Sequence, residues 1–360
     1  MTARLAGIAR FAARWGLYLL LSSGLFYFAY KFYQPTYGGT DYFEYYPMYL
    51  HPLDLRVAHQ PWAYRQLSAV LTNLVYRFGP YYDPQIFFSK PGYDQHVFFA
   101  AMLTNYLALA ACAVVTSMAA ERLRPGGGPA VPIFAGALCY LSFFAQQSGM
   151  GPITDGVAWL LVAIGFLGYL RRSLVTVGVV LALAVFEREL IPLMVGAIAG
   201  VDLVLSREQR RFDLTVIVLC IAAVALYAGM RTVWAPVAGK GFQTQIGVGA
   251  RAASLWRSFA SRDVLVQGFL TQNLLILLGL NLLWRWRQGG RTRALSVEVA
   301  RLIVGLFAAA AVLVAVSYLA MIGQNVGRIL AMLTPITATL LALLLLPDER
   351  APAAAPAPVD

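Results

Sequence analysis

Residues 301–322 read RLIVGLFAAAAVLVAVSYLAMI, a run that opens with one arginine and then contains no charged side chain. A helix that crosses the hydrocarbon core of a bilayer needs about 17 to 25 predominantly apolar residues, so this run predicts a transmembrane helix. The whole chain has the same character: apolar residues make up 59% and charged residues 12% of 360 residues, and the mean hydropathy is +0.66. A soluble domain carries about 25% charged residues, so the composition predicts an integral membrane protein.

Similar runs recur along the chain and predict an all-α, polytopic transmembrane bundle of about ten spans. The first run stays apolar into Phe32 and no small-residue cleavage motif follows it, which indicates an uncleaved span and not a signal peptide. The spans would form a single domain over residues 1–346, and the Ala/Pro-rich segment 347–360 is expected to be a disordered cytoplasmic tail. The predicted spans lie near residues 13–33, 95–119, 130–147, 155–170, 173–187, 189–205, 213–230, 263–284, 301–322 and 328–346.

The arginines give these spans an orientation. If the N-terminus is cytoplasmic, every inside connection contains at least two arginines, whereas the short outside connections contain almost none. This asymmetry follows the positive-inside rule. It predicts that both termini lie in the cytoplasm, and the bacterial inner membrane is the expected location. The net charge of +11 then comes from short clusters beside the spans, and nucleic acid is not expected as a partner because no basic domain is long enough to form a groove.

Two long connections, residues 34–94 and 231–262, fall on the outside in this topology. The first is rich in tyrosine and phenylalanine, and tyrosine favours the headgroup level of a membrane. Within it, Trp62 to Phe78 has apolar residues at helical spacing, which predicts a helix whose apolar face lies in the membrane interface. These apolar residues are Leu67, Val70, Leu71, Leu74 and Val75.

Two acidic residues, Asp41 and Glu44, follow the first predicted span at its outer boundary. Residues three apart share one face of a helix, so both carboxylates are candidate catalytic groups. A carboxylate at this place could act as general base towards a hydroxyl or bind a divalent cation. The alternative is a solvated loop with membrane-anchoring aromatic residues.

Charged residues near the outer boundary are candidate substrate-binding groups. Arg65, next to Tyr64, could hold the phosphate of one particular lipid through bidentate hydrogen bonds, or pair with lipid phosphates without specificity. Glu187 and Arg188 form a charged turn between two short spans. Ionisable groups at membrane depth are functional candidates, and a structural ion pair or a tight outside turn is the alternative.

The last candidate group, Gln324 and Arg328, lies at the start of the final predicted span. Arg328 would lie where a lipid phosphate or pyrophosphate lies, and simple snorkelling to the interface is the alternative. No metal ligands are assigned, because the three cysteines fall inside apolar runs and the three histidines match no zinc spacing. No cofactor is indicated, and a divalent cation stays open.

These features together resemble the GT-C type of membrane glycosyltransferase. The chain shares with that family an acidic residue after the first span, a long outer loop with interfacial helices, and about ten spans. The resemblance covers the whole architecture. Three short patterns add to it: Tyr64-Arg65-Gln66-Leu67, Glu187-Arg188-Glu189, and Gly327-Arg328-Ile329-Leu330 followed by Pro335.

The resemblance implies transfer of a sugar from a polyprenyl-phosphate donor to a glycan or lipid-linked acceptor on the outer face, with inversion at the sugar. Asp41 matches the family's catalytic acid and would deprotonate the acceptor hydroxyl. Glu44 would orient the acceptor or help to bind a metal. Arg65, Arg188 and Arg328 would stabilise the negative charge on the lipid-phosphate leaving group.

The chain departs from the family in one respect, and several other functions remain as alternatives. Many members have a second acid beside the first, whereas Tyr42 follows Asp41 here, which weakens the case for a metal. A polymerase or ligase for lipid-linked polysaccharides, a transporter or flippase, and a non-catalytic assembly subunit are the alternatives. A shared catalytic site requires Asp41, Glu187 and the three arginines to converge on one outward-facing cavity.

Overall fold

The structure, a computed structural model, describes residues 2–32, 41–81, 94–126, 128–145, 149–239, 268, 271–288, 295–319 and 326–346, and these are all-helical apart from turns. Short 3₁₀ turns lie at Trp62–Tyr64 and Ala331–Leu333. The α-helices are α1 (Thr2–Phe32), α2 (Tyr42–Leu50), α3 (Gln66–Phe78), α4 (Gln95–Leu123), α5 (Ala130–Leu141), α6 (Asp155–Leu170), α7 (Leu174–Ala184), α8 (Ile191–Leu205), α9 (Arg210–Ala238), α10 (Asn273–Arg287), α11 (Val297–Leu319), α12 (Val326–Leu330) and α13 (Thr334–Leu345).

Four helices in the described ranges are long and apolar enough to cross a membrane. One of them, α9, turns large apolar side chains such as Leu214, Val218 and Ile221 outward along its length. An exposed apolar surface of this extent is expected where lipid surrounds the helix. The four are Gln95–Leu123, Arg210–Ala238, Val297–Tyr318 and the broken helix Val326–Leu345.

Four other predicted spans correspond to shorter apolar helices, α5 to α8, which have 11 to 16 residues. At 1.5 Å per residue, the 11 residues of α7 extend over only about 17 Å, against a hydrocarbon core of about 30 Å. Helix α1 has 31 residues, but the serines and tyrosines in its second half reduce its hydropathy. Length and composition therefore support four crossings, and ten stay a prediction.

Helix α13 lies at the centre of the bundle, against α4, α5, α6 and α10. Its C-terminal end is held by two arginines from neighbouring helix ends. Arg124 donates to the carbonyl of Leu346 at 3.0 Å, and Arg285 donates to that of Leu344 at 2.7 Å. The last carbonyls of a helix have no partner within it, so these bonds satisfy groups that would otherwise be unpaired.

Helix α3 is amphipathic, but its apolar face is exposed and its polar face is buried, the reverse of a surface helix on a soluble protein. Its open face carries Leu74 and Phe78, whereas its buried face is mostly polar. The helix predicted over Trp62–Phe78 thus begins as a 3₁₀ turn and becomes α-helical at Gln66. An apolar face turned away from the protein suits a membrane surface. The buried polar residues are Gln66, Ser68, Thr72 and Asn73.

Helix α9 extends further than the sequence predicts. It continues to Ala238, so residues 231–238, which were expected to begin the second outer loop, are helical. Gly239 follows with a φ of +69°, a left-handed conformation that favours glycine and ends helices. The rest of that predicted loop, Gln324 and the tail 347–360 lie outside the described residues.

Candidate functional site

Three charged side chains from distant parts of the chain meet at one end of the bundle. Asp41 precedes α2, Asp155 opens α6, and Arg328 lies in α12. The Nε atom of Arg328 donates to Oδ2 of Asp155 at 2.5 Å, and its Nη2 atom donates to Oδ1 at 3.2 Å. Its Nη1 atom donates to Oδ2 of Asp41. One guanidinium therefore binds Asp155 in a bidentate manner and Asp41 with its remaining nitrogen.

Arg188 brings a second guanidinium to Asp155. It lies between α7 and α8, and its Nη2 atom donates to Oδ1 of Asp155. Both side chains are buried. A carboxylate away from water requires opposite charge and hydrogen bonds to remain ionised, and two arginines provide both for Asp155.

Arg65 is the third arginine of this region; it is buried and lies between the first 3₁₀ turn and α3. Its Nη1 atom donates to the hydroxyl of Tyr45, which in turn accepts from the hydroxyl of Thr154 at 3.4 Å. Its Nη2 atom is 3.9 Å from Oε1 of Glu189. Burial acts to lower the pKa of Arg65, but Tyr45, Glu189 and Asp41 together raise it, so the guanidinium is charged.

We call Asp41, Arg65, Asp155, Arg188 and Arg328 the arginine cluster. The Nε atoms of Arg65 and Arg188 are buried, and neither finds a hydrogen-bond partner among the residues that the structure describes. Buried polar groups are nearly always paired, so such donors require a specific explanation. Phosphate and carboxylate oxygens match the planar array of guanidinium donors, so an oxyanion is the ligand that fits them.

Asp41 is the more open of the two carboxylates: 23% of its side chain is exposed, against 3% for Asp155. Burial raises the pKa of Asp41, but the charges of Arg328 and Arg65 outweigh that effect and lower it to about 2. While it is paired in this way, Asp41 is ionised at neutral pH and only weakly basic. The open carboxylates Asp41 and Glu189 mark the side from which the cluster can be reached, since 27% of the Glu189 side chain is exposed.

Glu187 is adjacent to Arg188 in sequence but pairs with another element. Its carboxylate accepts from the backbone N–H of Ser68 at 2.9 Å and from the Ser68 hydroxyl at 2.7 Å. These bonds satisfy the first turn of α3, whose N–H groups lack partners within the helix. Burial raises the pKa of Glu187 to about 7 in spite of the two hydrogen bonds. Glu187 therefore holds the start of α3, and with it Arg65, in position.

Glu44 and Tyr64, the other predicted site residues with described positions, lie beside this network and not within it. The Glu44 carboxylate accepts from the backbone N–H of His59 at 3.0 Å and contacts its Nδ1 atom at 3.3 Å. Tyr64 packs edge-on against Tyr227 of α9, with ring centroids 6.0 Å apart. The geometry thus brings Asp41 and the three arginines together, while the chemical role of each predicted residue stays a prediction.

Asp155 is a member of the cluster that is not among the site residues predicted from the sequence. An acidic residue that opens an apolar helix is common, because it favours the helix dipole. The signal that could have distinguished it is its depth, since an ionisable group at the edge of an apolar run needs a partner. Arg188 and Arg328 are those partners.

Asn105 of α4 fixes the turn that carries Asp155. Its Nδ2 atom donates to the carbonyl of Gly151 at 2.8 Å and also to that of Ile153. Its Oδ1 atom accepts from the N–H of Gly156 at 3.1 Å. One buried amide therefore satisfies three backbone groups of a buried turn and sets where α6 begins.

A second polar network, which we call the tyrosine cluster, lies at the other end of α6, whose 16 residues extend over about 24 Å. The hydroxyl of Tyr169 is 2.7 Å from Oδ2 of Asp202 and 2.8 Å from Oδ1 of Asp213. Arg172 donates to Asp213 at 3.3 Å, and the Nε atom of Arg301 is 3.8 Å from Asp202. The tyrosine cluster therefore joins α6, α8, α9 and α11.

Over the residues that the structure describes, the fold and the site define an all-helical protein with candidate membrane spans and a largely buried cluster of arginines and carboxylates. Within the described ranges, no three His, Cys, Asp or Glu side chains gather so as to hold a metal ion. Comparison of the chain with protein-family models, with curated proteins and with solved structures found no match.

Proposed function

We propose that this chain is an integral membrane glycosyltransferase of the GT-C type. It would move a sugar from a polyprenyl-phosphate donor to a glycan or lipid-linked acceptor on the outer face, with inversion at the sugar. The observation that carries the proposal is the arginine cluster, in which two buried guanidiniums and the partly buried one of Arg328 surround two carboxylates, and two Nε donors have no acceptor among the described residues. A phosphate leaving group needs fixed cations of this kind.

The proposed topology has about ten spans with both termini in the cytoplasm. Asp41, Asp155, Arg188 and Arg328 all fall in or beside connections that the distribution of arginines assigns to the outer side. Their meeting at one end of the bundle agrees with that assignment. The tyrosine cluster, at the other end of α6, then belongs to the cytoplasmic side.

In the proposed reaction, the donor phosphate binds Arg65, Arg188 and Arg328 in place of part of their carboxylate contacts. When the phosphate draws Arg328 away from Asp41, the pKa of Asp41 rises towards its usual range, and the carboxylate becomes a better base. The acceptor oxygen then forms a bond to the anomeric carbon while the bond from that carbon to the phosphate oxygen breaks. Asp41 takes the proton of the acceptor hydroxyl, and polyprenyl phosphate leaves with the electron pair.

The proposal is tested by sugar transfer from radiolabelled polyprenyl-phosphate donors to product by the purified chain in liposomes. Wild type is compared with Asp41→Asn, which keeps the size of the side chain and removes the base. Asp54→Asn is the matched control, because Asp54 pairs with Arg56 at the surface of the same loop and away from the cluster.

Transfer by wild type and by the Asp54 variant, with a loss of about 100-fold or more in Asp41→Asn, would support the enzyme and its base, since general bases contribute about 10²- to 10⁴-fold. Equal transfer by all three chains would remove Asp41 from the mechanism. If no donor supports transfer while polyprenyl phosphate moves between leaflets, a flippase would replace the enzyme as the better account.

A further inference from the structure

The surroundings of Tyr64 form a second polar position beside Arg65. Tyr64 immediately precedes Arg65, and its ring meets that of Tyr227 edge to face. The hydroxyl oxygens of both tyrosines are buried, and neither has a hydrogen-bond partner among the described residues. Since buried hydroxyls are nearly always paired, two adjacent ones without partners indicate a position suited to a ligand with several hydroxyl groups.

Two charged side chains flank the tyrosines. The carboxylate of Glu189 is 3.9 Å from Nη2 of Arg65, and it acts electrostatically on the phenol of Tyr227. The guanidinium carbon of Arg231 lies 5.8 Å from the ring centroid of Tyr227, and its Nη2 atom donates to Gln60 at 3.4 Å. The position therefore offers aromatic faces, two hydroxyls, one acceptor and one donor.

This combination selects among ligand classes. An apolar chain would leave the hydroxyls and the charged groups without partners, and a second phosphate would be opposed by Glu189. A sugar ring has apolar C–H faces that pack on aromatic rings, and its hydroxyls both donate to a carboxylate and accept from a guanidinium.

We propose that Tyr64, Tyr227, Glu189 and Arg231 form the binding position for the hexose ring of the lipid-linked donor. This inference rests on the proposed function, because it places the donor phosphate at the arginine cluster. Arg65 contributes to both positions: it is adjacent in sequence to Tyr64, pairs with Glu189, and shares the electrostatic environment of Asp41. The sugar and the phosphate that are directly bonded in the donor would thus lie on the two sides of one guanidinium.

The test measures how much the sugar adds to binding. The full chain in lipid nanodiscs is titrated with polyprenyl phosphate and with the same lipid phosphate bearing glucose, mannose or galactose. We expect at least one sugar-bearing lipid to bind wild type about tenfold more tightly than the bare lipid phosphate. Tyr64→Phe and Tyr227→Phe should each reduce that gain about two- to tenfold, the range expected for one hydrogen bond.

Tyr140→Phe is the matched control. Tyr140 of α5 is also buried, and its hydroxyl has only a weak interaction with Ser22 in the described part of the chain. Its substitution should leave the sugar-dependent gain intact. Melting curves of all variants, recorded without ligand, separate a loss of fold from a loss of binding.

Three results would overturn the inference. The first is equal affinity of wild type for the bare lipid phosphate and for all three sugar-bearing lipids. The second is a gain that survives both tyrosine substitutions, and the third is a gain that Tyr140→Phe removes as well. Each leaves the proposed function standing as long as bare polyprenyl phosphate binds, whereas no binding of any of the four lipids would refute both proposals.

Discussion

The arginine cluster and the tyrosine cluster occupy opposite ends of α6 and use the same kinds of side chain in different numbers. The arginine cluster has three guanidiniums around the carboxylates of Asp41 and Asp155. The tyrosine cluster has two guanidiniums around Asp202 and Asp213, which also share the Tyr169 hydroxyl. With Glu189, which lies 3.9 Å from Arg65, the first cluster has three guanidiniums against three carboxylates, and the second has two of each, so both are balanced in formal charge.

The two clusters differ in their hydrogen bonds. In the arginine cluster, the Nε donors of Arg65 and Arg188 have no acceptor among the described residues. In the tyrosine cluster, one donor of Arg301 and one oxygen of Asp213 are without partners there, so donors and acceptors stay matched. Unpaired donors favour binding of an anion, whereas matched donors and acceptors between four helices favour stability. We expect substitutions in the two clusters to have separable effects.

The largest expected effect is that of Arg328→Gln. It leaves Asp41 and Asp155 without their shared partner, and removal of one member of a buried ion pair costs about 3 to 5 kcal/mol of stability. The affinity for polyprenyl phosphate should fall roughly 30-fold or more, as expected when a buried charged contact is lost. Thermal melting and lipid titration in nanodiscs measure the two quantities.

Arg301→Gln is the control for that substitution, since it removes an arginine from the tyrosine cluster instead. Its affinity for polyprenyl phosphate should stay within about threefold of wild type, which is less than 1 kcal/mol. An equal loss of affinity in both variants would contradict the separate roles of the two clusters, because both would then contribute to lipid binding.

Glu187 gives the arginine end of α6 a dependence on pH. Its pKa is raised by burial to about 7 in the folded chain, whereas an unfolded glutamate has a pKa of about 4.3. The folded state thus keeps a proton that the unfolded state loses as pH rises between these values. The free energy of unfolding should therefore fall by about 3 kcal/mol from pH 4.5 to above pH 7. In Glu187→Gln this slope should be absent, and an unchanged slope would assign it to another group.

Gly156→Ala tests whether the turn carrying Asp155 must be held in place. A Cβ atom there would lie 2.7 Å from Oδ1 of Asn105 and 2.7 Å from the carbonyl of Gly149, so the turn must move. We expect a loss of about 1 to 3 kcal/mol in stability and weaker binding of polyprenyl phosphate. Gly178→Ala in α7 is the control, because a Cβ atom there meets nothing within 4 Å. It should stabilise the helix by up to about 1 kcal/mol. Unaltered binding in the Gly156 variant would show that Asp155 tolerates displacement.

The smallest effect is expected for Tyr169→Phe. It removes the hydroxyl between Asp202 and Asp213 and should reduce the free energy of unfolding by about 1 kcal/mol. The affinity for polyprenyl phosphate should not change. A change in that affinity would mean that the two clusters at the ends of α6 are energetically coupled and do not act independently.

Much of the fold could be predicted from the sequence, because a long apolar run by itself indicates a helix that can cross a membrane. The all-helical class is confirmed over the described residues, and four helices are long and apolar enough for a membrane. The number of crossings could not be predicted in the same way. Helices as short as α7 satisfy a hydropathy pattern, yet only packing decides whether they cross, re-enter or end inside the bundle.

Part of the site could be predicted, because a charged residue at the edge of an apolar run indicates its own position near the membrane boundary. The sequence indicates Asp41, Arg65 and Arg328 as charges at a predicted membrane boundary, and the fold brings them together. The pairing partners were not predictable, because they depend on contacts between distant helices. Glu44 is an example: its position three residues after Asp41 put it in the same group, but its carboxylate bonds to His59.

The two ends of the broken helix Val326–Leu345 have a consequence for biosynthesis. Arg328 near its start completes the pairing of Asp41 and Asp155, and Arg124 and Arg285 hold its other end. Among the described helices it is also the one that the ribosome makes last. Until this helix packs against the others, Asp41 and Asp155 lack the guanidinium of Arg328. Arg124 and Arg285 likewise lack the helix carbonyls to which they donate. The site can therefore form only after this helix has been made, so a chain cut short before Arg328 would lack the arginine cluster.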